Sequence, residues 1–238
     1  MLWKWLEDNF KYRRKYCGFV FGRRRHSVLE VCGSHKITRQ QYQALLACID
    51  YLEQHIGVYG LFVTGGSIMH VKKIYDKIKS GSPNLLEYLR TVHAPRECAM
   101  AFHQFLSIFQ VQVLPQRCID VVMGDVVGVP KRLVALDVLN LLYEEFDDTR
   151  LHFAKRYLQL MRRYTLYGYL RPTEVHVVVT PYLALSKIFP GPDTRTNMQT
   201  KTITLLELFL LAQLLDDPMS LSAQLHQACA SYWQTTED

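Results

Sequence analysis

The sequence predicts an all-α fold in which residues 36–238 form one helical domain behind an N-terminal arm, residues 1–35. Apolar residues recur every three or four positions in one segment after another, which is the spacing of an amphipathic helix. Hydrophobic residues make up 49% of the 238, and that fraction is ample for a buried core. Since no internal repeat and no linker divides the chain, a single domain is expected.

The N-terminal arm is basic and aromatic. Residues 1–25 contain eight Lys or Arg residues and two acids, a net charge of +6, whereas the rest of the chain has 20 of each sign. Cations interleaved with aromatic rings suit an anionic membrane surface, single-stranded nucleic acid, a protein partner, or a helix folded back on its own domain. No nucleic-acid-binding motif favours the second alternative. The candidate membrane- or nucleic-acid-binding residues are Arg13, Arg14, Lys15, Arg23, Arg24 and Arg25.

The first helix of the domain is predicted over residues 39–54, after a stretch at 27–37 whose composition favours extended chain. Thr38 is its expected N-cap, and Gln41 is placed three residues later for a capping box. The apolar stripe of this helix comprises Leu45, Leu46, Ile49 and Leu52.

A glycine-punctuated corner follows, and it organises the rest of the domain. Gly57, Gly60, Gly65 and Gly66 predict a tight turn, and Ser67 is the expected N-cap of the next helix. The inner face of that helix consists of Val71, Ile74, Tyr75 and Ile78. Glycines before a helix can hold an anion on backbone amides, but without a lysine at Walker spacing a turn and cap is the simpler interpretation.

The residues of this corner resemble the opening signature of RhoGAP domains. The chain has YLE at 51–53, GLFVTGGS at 60–67 and Val71, where the family has YLE, a spacer, G-(I/L)-F-R-(V/I)-S-G-S and a valine. The resemblance implies a RhoGAP fold over about residues 36–215. It also implies that Val63 occupies the place of the family's arginine finger.

The segment from Val92 to Pro115 resembles the second RhoGAP block, in which a V-H pair leads into a helix and L-K-x-F-L-R-E-L-P-E-P-L-(I/L)-P. Here Phe105 and Leu106 match F-L. The family's lysine falls on His103 and its second arginine on Ser107. FQVQ at 109–112 replaces L-P-E-P, and the loss of those prolines favours a longer helix.

Residues 169–185 resemble the third block, N-K-M-T-x-x-N-L-A-x-x-x-x-P-x-L. The family's functional asparagine falls on Glu174, and Arg171 is the nearest candidate for a substitute finger. The β-branched residues of 175–180 favour a strand by propensity. The resemblance implies a helix there, and we expect the helix.

Further helices are predicted on both sides of that block. Their ranges are 85–90, 117–127, 130–146, 151–164, 204–215 and 221–233, and PGPDTRTNMQ at 190–199 is predicted to be a loop. Four cations of the helix at 151–164 are expected to form a solvated face. They are Lys155, Arg156, Arg162 and Arg163.

Four positions of the family's catalytic constellation are therefore altered: Val63, His103, Ser107 and Glu174. A GTPase-activating protein acts largely by placing a guanidinium against the transferring phosphate, which contributes on the order of 10³–10⁵ in rate. Valine has neither the charge nor the hydrogen-bond donors for this role. A carboxylate at position 174 would repel the phosphates if it faced them.

The leading hypothesis is a catalytically inactive RhoGAP-like adaptor or scaffold, with retained binding of a Rho-family GTPase left open. Its candidate partner-binding residues are Thr64, Lys72, Lys73 and Arg171. The alternative is a membrane- or nucleic-acid-associated factor that acts through the arm and uses the domain as scaffold. A third hypothesis, an active GAP with a rearranged site, is disfavoured by the chemistry above.

Other enzyme classes lack support in the sequence. There is no Walker loop, GxSxG or HExxH motif, and the six cysteines form neither a CxxC pair nor a zinc-ligand pattern. No enzymatic activity, metal or cofactor is therefore expected. The opening residues MLWKWLEDNF place acids where a signal peptide has its apolar stretch. Together with the unpaired cysteines, this favours the cytoplasm, with the nucleus as the alternative.

Overall fold

We describe the protein from a computed structural model. The residues that it describes are 37–63, 65–109, 111–124, 128–168 and 194–234.

Nine α-helices and one 3₁₀ helix form the regular structure of these residues, and no strand occurs among them. The α-helices are α1 Arg39–Glu53, α2 Ile68–Ser80, α3 Leu85–Val92, α4 Pro95–Ile108, α5 Gln116–Met123, α6 Lys131–Glu145, α7 Asp148–Tyr167, α8 Thr194–Leu211 and α9 Pro218–Gln234. The 3₁₀ helix is Ala212–Asp216. The all-α prediction is therefore confirmed for the part of the chain that the structure describes.

The helices share one hydrophobic core. In the first half, α2 packs on α4, while α1 packs on α2, α3 and α4; in the second half, α6 packs on α5, α8 and α9. Contacts of α1 and α8 with α7 join the halves, and buried side chains from all nine α-helices belong to a single cluster. None of the described helices has the length and apolar content needed to cross a bilayer.

Local capping signals set the start of α1, as predicted, and the start of α7. Thr38 accepts a hydrogen bond from the Gln41 backbone at 3.1 Å, and the Gln41 side chain accepts one from the Thr38 backbone at 2.9 Å. The predicted capping box is thus confirmed. Asp147 caps α7, where one carboxylate oxygen accepts the backbone N–H groups of Thr149 and Arg150.

Three predicted boundaries are wrong. Residues 194–199 are helical, although a loop was expected over 190–199; the proline and glycine signals end at Pro192, and the helix that follows extends back over polar residues. The helix predicted over 204–215 changes to 3₁₀ form after Leu211. Despite the absence of the family's prolines, α4 ends at Ile108, before the FQVQ segment.

The helix α5 is shorter than the sequence predicts. The helix predicted over 117–127 is observed as Gln116–Met123; residues 125–127, the arm at 1–35 and the segment 169–185 lie outside the described residues. The inner face predicted for α2 is confirmed, since Val71, Ile74 and Ile78 are buried and Tyr75, partly buried, packs against the core.

Three of the four cations of α7 do not form the solvated face that the sequence predicts, whereas Arg163 is 55% exposed. Arg156 lies 2.7 Å from Asp50 and 3.3 Å from Glu53, both on α1. Lys155 pairs with Asp216 at 2.6 Å, and Arg162 donates to the Leu210 carbonyl at 3.2 Å. These side chains therefore tie α7 to its neighbours, because packing has brought carboxylates and a helix end against a face that the sequence alone leaves unpartnered.

We predict that Arg156→Met lowers the free energy of unfolding by about 1 kcal/mol, because it removes a charge-assisted contact with two carboxylates and keeps much of the stem packing. Arg163→Met is the matched control. Its guanidinium is 4.0 Å from Glu53 and the side chain is 55% exposed, so a change within about 0.5 kcal/mol is expected. Urea unfolding of both variants measures the difference, and equal effects would show that Arg156 is not a tie between helices.

Candidate functional site

The glycine corner, residues 54–67, returns the chain from α1 to α2 through consecutive tight turns. The backbone N–H of Val58 donates to the His55 carbonyl at 3.0 Å, and that of Val63 to the Gly60 carbonyl at 3.1 Å. Gly60 has φ +66°, a conformation that glycine adopts without a steric cost. The corner is thereby closed by its own backbone before any side chain contributes.

Two neighbouring side chains in the first turn of α4 hold the corner from outside. Arg96 donates to the Tyr59 carbonyl from Nε at 3.1 Å and from Nη2 at 2.9 Å. Glu97 accepts the backbone N–H of Ser67 through Oε1 at 2.9 Å. We call this pair of contacts the corner clamp. Because the two residues are adjacent on one helix, the clamp fixes the entry and the exit of the glycine run relative to each other.

The carboxylate of Glu97 lies at the N-terminus of α2, where helix N–H groups favour negative charge. Ser67 is the N-cap of α2, as predicted, but its side chain makes no capping hydrogen bond. A Cβ added to Gly66 would lie 2.4 Å from the carboxyl carbon of Glu97. The glycine therefore makes room for an anion, and that anion is a side chain of the chain itself.

The middle of the corner is anchored in the core by Phe62. Its ring stacks on His103 with centroids 4.9 Å apart and meets Tyr164 edge-on at 5.1 Å. Leu61 and Phe62 are buried. Val63, which follows, is half-buried and packs against the core cluster. Val63 is thus directed onto the domain by the anchoring of its neighbour.

His103 is neutral at physiological pH. Its Nε2 is shielded from water, and burial lowers the pKa of the imidazole to about 3 because the charged form would lose its hydration. A lysine at this place would serve as a cation, whereas His103 serves as an aromatic surface for Phe62. The position therefore contributes no positive charge to the corner.

The structure brings three of the four altered positions to the same region. His103 and Ser107 are four residues apart on one face of α4, Ser107 is exposed, and Val63 follows the ring that stacks on His103. Glu174 lies outside the described residues, as do Thr64 and Arg171. The same is true of Arg13, Arg14, Lys15, Arg23, Arg24 and Arg25.

Lys72 and Lys73 are exposed on the outer face of α2, and no ion pair joins either to a carboxylate among the described residues. Lys77, one turn later, is instead placed over the Tyr88 ring at 4.6 Å. The first two lysines are therefore exposed, and their role in partner binding stays a prediction.

Sequence reasoning missed Arg96 and Glu97. Pro95 and an acid in the first turn are visible as helix-start signals, but they say nothing about contacts with a backbone 30 to 37 residues away. The conjunction of Gly66, which has no side chain, with an acid 31 residues later is not a local signal. It acquires meaning only when α4 is placed against the corner.

Comparisons of the chain with protein-family models, curated proteins and solved structures find no match. The family relation implied by the corner therefore stays a prediction. Among the described residues, no group of three or more His, Cys, Asp or Glu side chains is arranged to hold a metal ion.

We predict that Gly66→Ala and Glu97→Ala have nearly the same effect on the corner. The added methyl group would displace the flexible Glu97 carboxylate, so each change removes the same hydrogen bond, worth about 1–2 kcal/mol as a charge-assisted contact. The double variant should then lose little more stability than either single variant. Urea unfolding of the two single variants and the double variant measures these free energies, and faster hydrogen exchange over residues 57–67 reports the loss of the contact.

Gly65→Ala is the matched control, because a Cβ at Gly65 would meet nothing within 4 Å. We expect it to leave both the stability and the exchange rates of the corner nearly unchanged. Additive losses from Gly66→Ala and Glu97→Ala, or a Gly65→Ala effect of equal size, would contradict the clamp.

The low pKa of His103 predicts acid lability with a defined sign. Below the ordinary imidazole pKa of about 6.5 the unfolded chain binds a proton here that the folded chain does not. The free energy of unfolding therefore falls as the pH drops from about 6.5 towards 3, by up to about 1.4 kcal/mol per pH unit. His103→Phe removes the contribution of His103 to this pH dependence. Urea unfolding at pH 7 and pH 5 should therefore show a smaller loss of unfolding free energy in His103→Phe than in the unaltered chain. An unchanged decline would mean that His103 is protonated in the folded chain.

Proposed function

We propose that this protein is a catalytically inactive RhoGAP-like domain that works as a protein-binding adaptor in the cytoplasm. In its most specific form, it binds a Rho-family GTPase without stimulating GTP hydrolysis. The domain then contributes a shaped, rigid surface, and catalysis is left to other proteins.

The packing of the corner carries this proposal. Phe62 is seated between His103 and Tyr164, and Val63 continues onto the core. A finger must leave the domain surface to reach a nucleotide in another protein, and this segment is held in the opposite direction. The neighbouring imidazole is neutral and cannot substitute for the missing cation.

The charges near the corner argue against phosphate chemistry as well. Arg96 is the arginine of the corner clamp, and both of its observed hydrogen bonds go to the Tyr59 carbonyl. Glu97 presents a carboxylate at the helix N-terminus, where a phosphate would otherwise find backbone donors. Catalysis of phosphoryl transfer depends on positive charge aimed at the transferring group, and this corner offers little.

Protein binding remains compatible with the same features. The clamp presents the corner and the start of α2 in a fixed arrangement, which lowers the ordering cost of association. Exposed Lys72 and Lys73 can steer and orient an acidic partner. These properties do not depend on a catalytic cation.

We predict nucleotide-dependent binding without catalysis. The full chain, titrated against purified Rho-family GTPases loaded with a non-hydrolysable GTP analogue or with GDP, should prefer one nucleotide state of at least one GTPase. Single-turnover GTP hydrolysis should stay within about two-fold of the intrinsic rate, against the 10³–10⁵ that an arginine finger supplies. Val63→Arg should not restore a full effect, because the position is packed towards the core.

Two outcomes would contradict this proposal. Stimulated hydrolysis that disappears in Arg171→Ala would reveal a substitute finger and an active enzyme. Absence of binding to every GTPase in both nucleotide states would remove the GTPase as the partner of this domain.

A further inference from the structure

The start of α2 carries large apolar side chains that the domain leaves in water. Ile68 is 83% exposed and Met69 is 68% exposed, and Tyr59, at the other side of the corner clamp, is 52% exposed. Ser67 and Tyr59 are bonded to adjacent residues of α4. The three side chains therefore belong to one end of the domain, which we call the apolar tip.

Cations lie directly behind this tip. Lys72 and Lys73 follow Ile68 and Met69 by four residues each, so they lie on the same outward faces, about 6 Å further along the helix axis. Asp76 comes one turn later still and is exposed. The order along the helix is apolar, then basic, then acidic.

Along α2 this order matches the layers of an anionic membrane surface. The Glu97 carboxylate also lies at this end of the domain, where it accepts the backbone N–H of Ser67. Apolar side chains of peripheral proteins enter the headgroup–acyl boundary by about 5–10 Å, while lysines one turn back reach the phosphates. Tyrosine prefers the same interface, since its ring is apolar and its hydroxyl is polar. A carboxylate two turns behind the leading residues would lie beyond the headgroups, where it costs little.

We propose that the apolar tip and the two lysines behind it form a binding site for anionic lipid membranes. The corner clamp holds the tip in place, so little ordering cost accompanies insertion. A protein occupant is less favoured, because the core of a protein interface is depleted of charge and a stable interface takes about 20–30 residues from each partner, whereas the tip has three large apolar side chains. The basic arm of the chain is disfavoured as an occupant, because residues 1–25 carry a net charge of +6 and would be repelled by the lysines. The inference uses the same α2 residues as the proposed GTPase binding, so the two compete for this surface, and the experiment below distinguishes them.

Because the arm itself is basic, vesicle binding of the full chain cannot by itself locate the site. The experiment therefore places an environment-sensitive fluorescent amino acid at position 69 or at position 219, in otherwise unchanged full-length chains. Met219 is a matched position, since it is 74% exposed and begins a different helix. Vesicles of phosphatidylcholine with about 30% phosphatidylserine are the probe, and pure phosphatidylcholine is the uncharged control.

We expect the fluorophore at position 69 to move to an apolar environment on anionic vesicles, whereas the one at position 219 stays in water. Binding should weaken about ten-fold or more in Ile68→Ser/Met69→Ser. Each lysine contributes about five-fold, so Lys72→Gln/Lys73→Gln should weaken it about 25-fold at low salt. The controls Met219→Ser and Lys79→Gln, which change an exposed methionine and an exposed lysine elsewhere, should stay within about two-fold.

The proposal is overturned if anionic vesicles are not bound, if they are bound while position 69 remains in water, or if the Ile68/Met69 double variant binds as well as the unaltered chain. Shielding of position 69 by a Rho-family GTPase and not by vesicles would assign the tip to protein binding. Circular dichroism melts confirm that the exposed substitutions leave the fold intact.

Discussion

The corner depends on one pair of contacts, those of Arg96 with the Tyr59 carbonyl and of Glu97 with the Ser67 amide, on either side of Gly60, Gly65 and Gly66. A run with this many glycines has more conformational freedom to lose than any other part of the domain. Two adjacent side chains on α4 restrict it at both ends, and Phe62 restricts it in the middle. The position of Val63 and the exposure of the α2 start both follow from that restriction.

The chemistry of the corner is consistent across its parts. The imidazole of His103 is buried and neutral, the guanidinium of Arg96 bonds the chain's own backbone, and a carboxylate occupies the helix N-terminus that could receive a phosphate. Each feature stabilises the domain, and none prepares it to stabilise a phosphoryl transition state.

Local and periodic features of the fold could be predicted from the sequence. Thr38 with Gln41, the inner face of α2 and the apolar stripe of α1 depend on residues within a few positions of one another. Contacts across the chain could not be predicted, because no sequence spacing encodes them. Arg156 meets Asp50 over 106 residues, and Arg96 meets Tyr59 over 37. The prediction of a loop over 190–199 was wrong at residues 194–199 for a related reason. A helix that tertiary packing stabilises can extend over residues of weak helix propensity.

The central claim is that Val63 is packed onto the domain by a clamped corner. Methyl-based nuclear Overhauser measurements on selectively labelled chain test it most directly, with the Val63 methyl groups as the observed probe. Our account predicts cross-peaks between these methyl groups and buried core side chains, together with slow hydrogen exchange at the Ser67 amide. Val63 methyl groups without core contacts, beside a freely exchanging Ser67 amide, would contradict it.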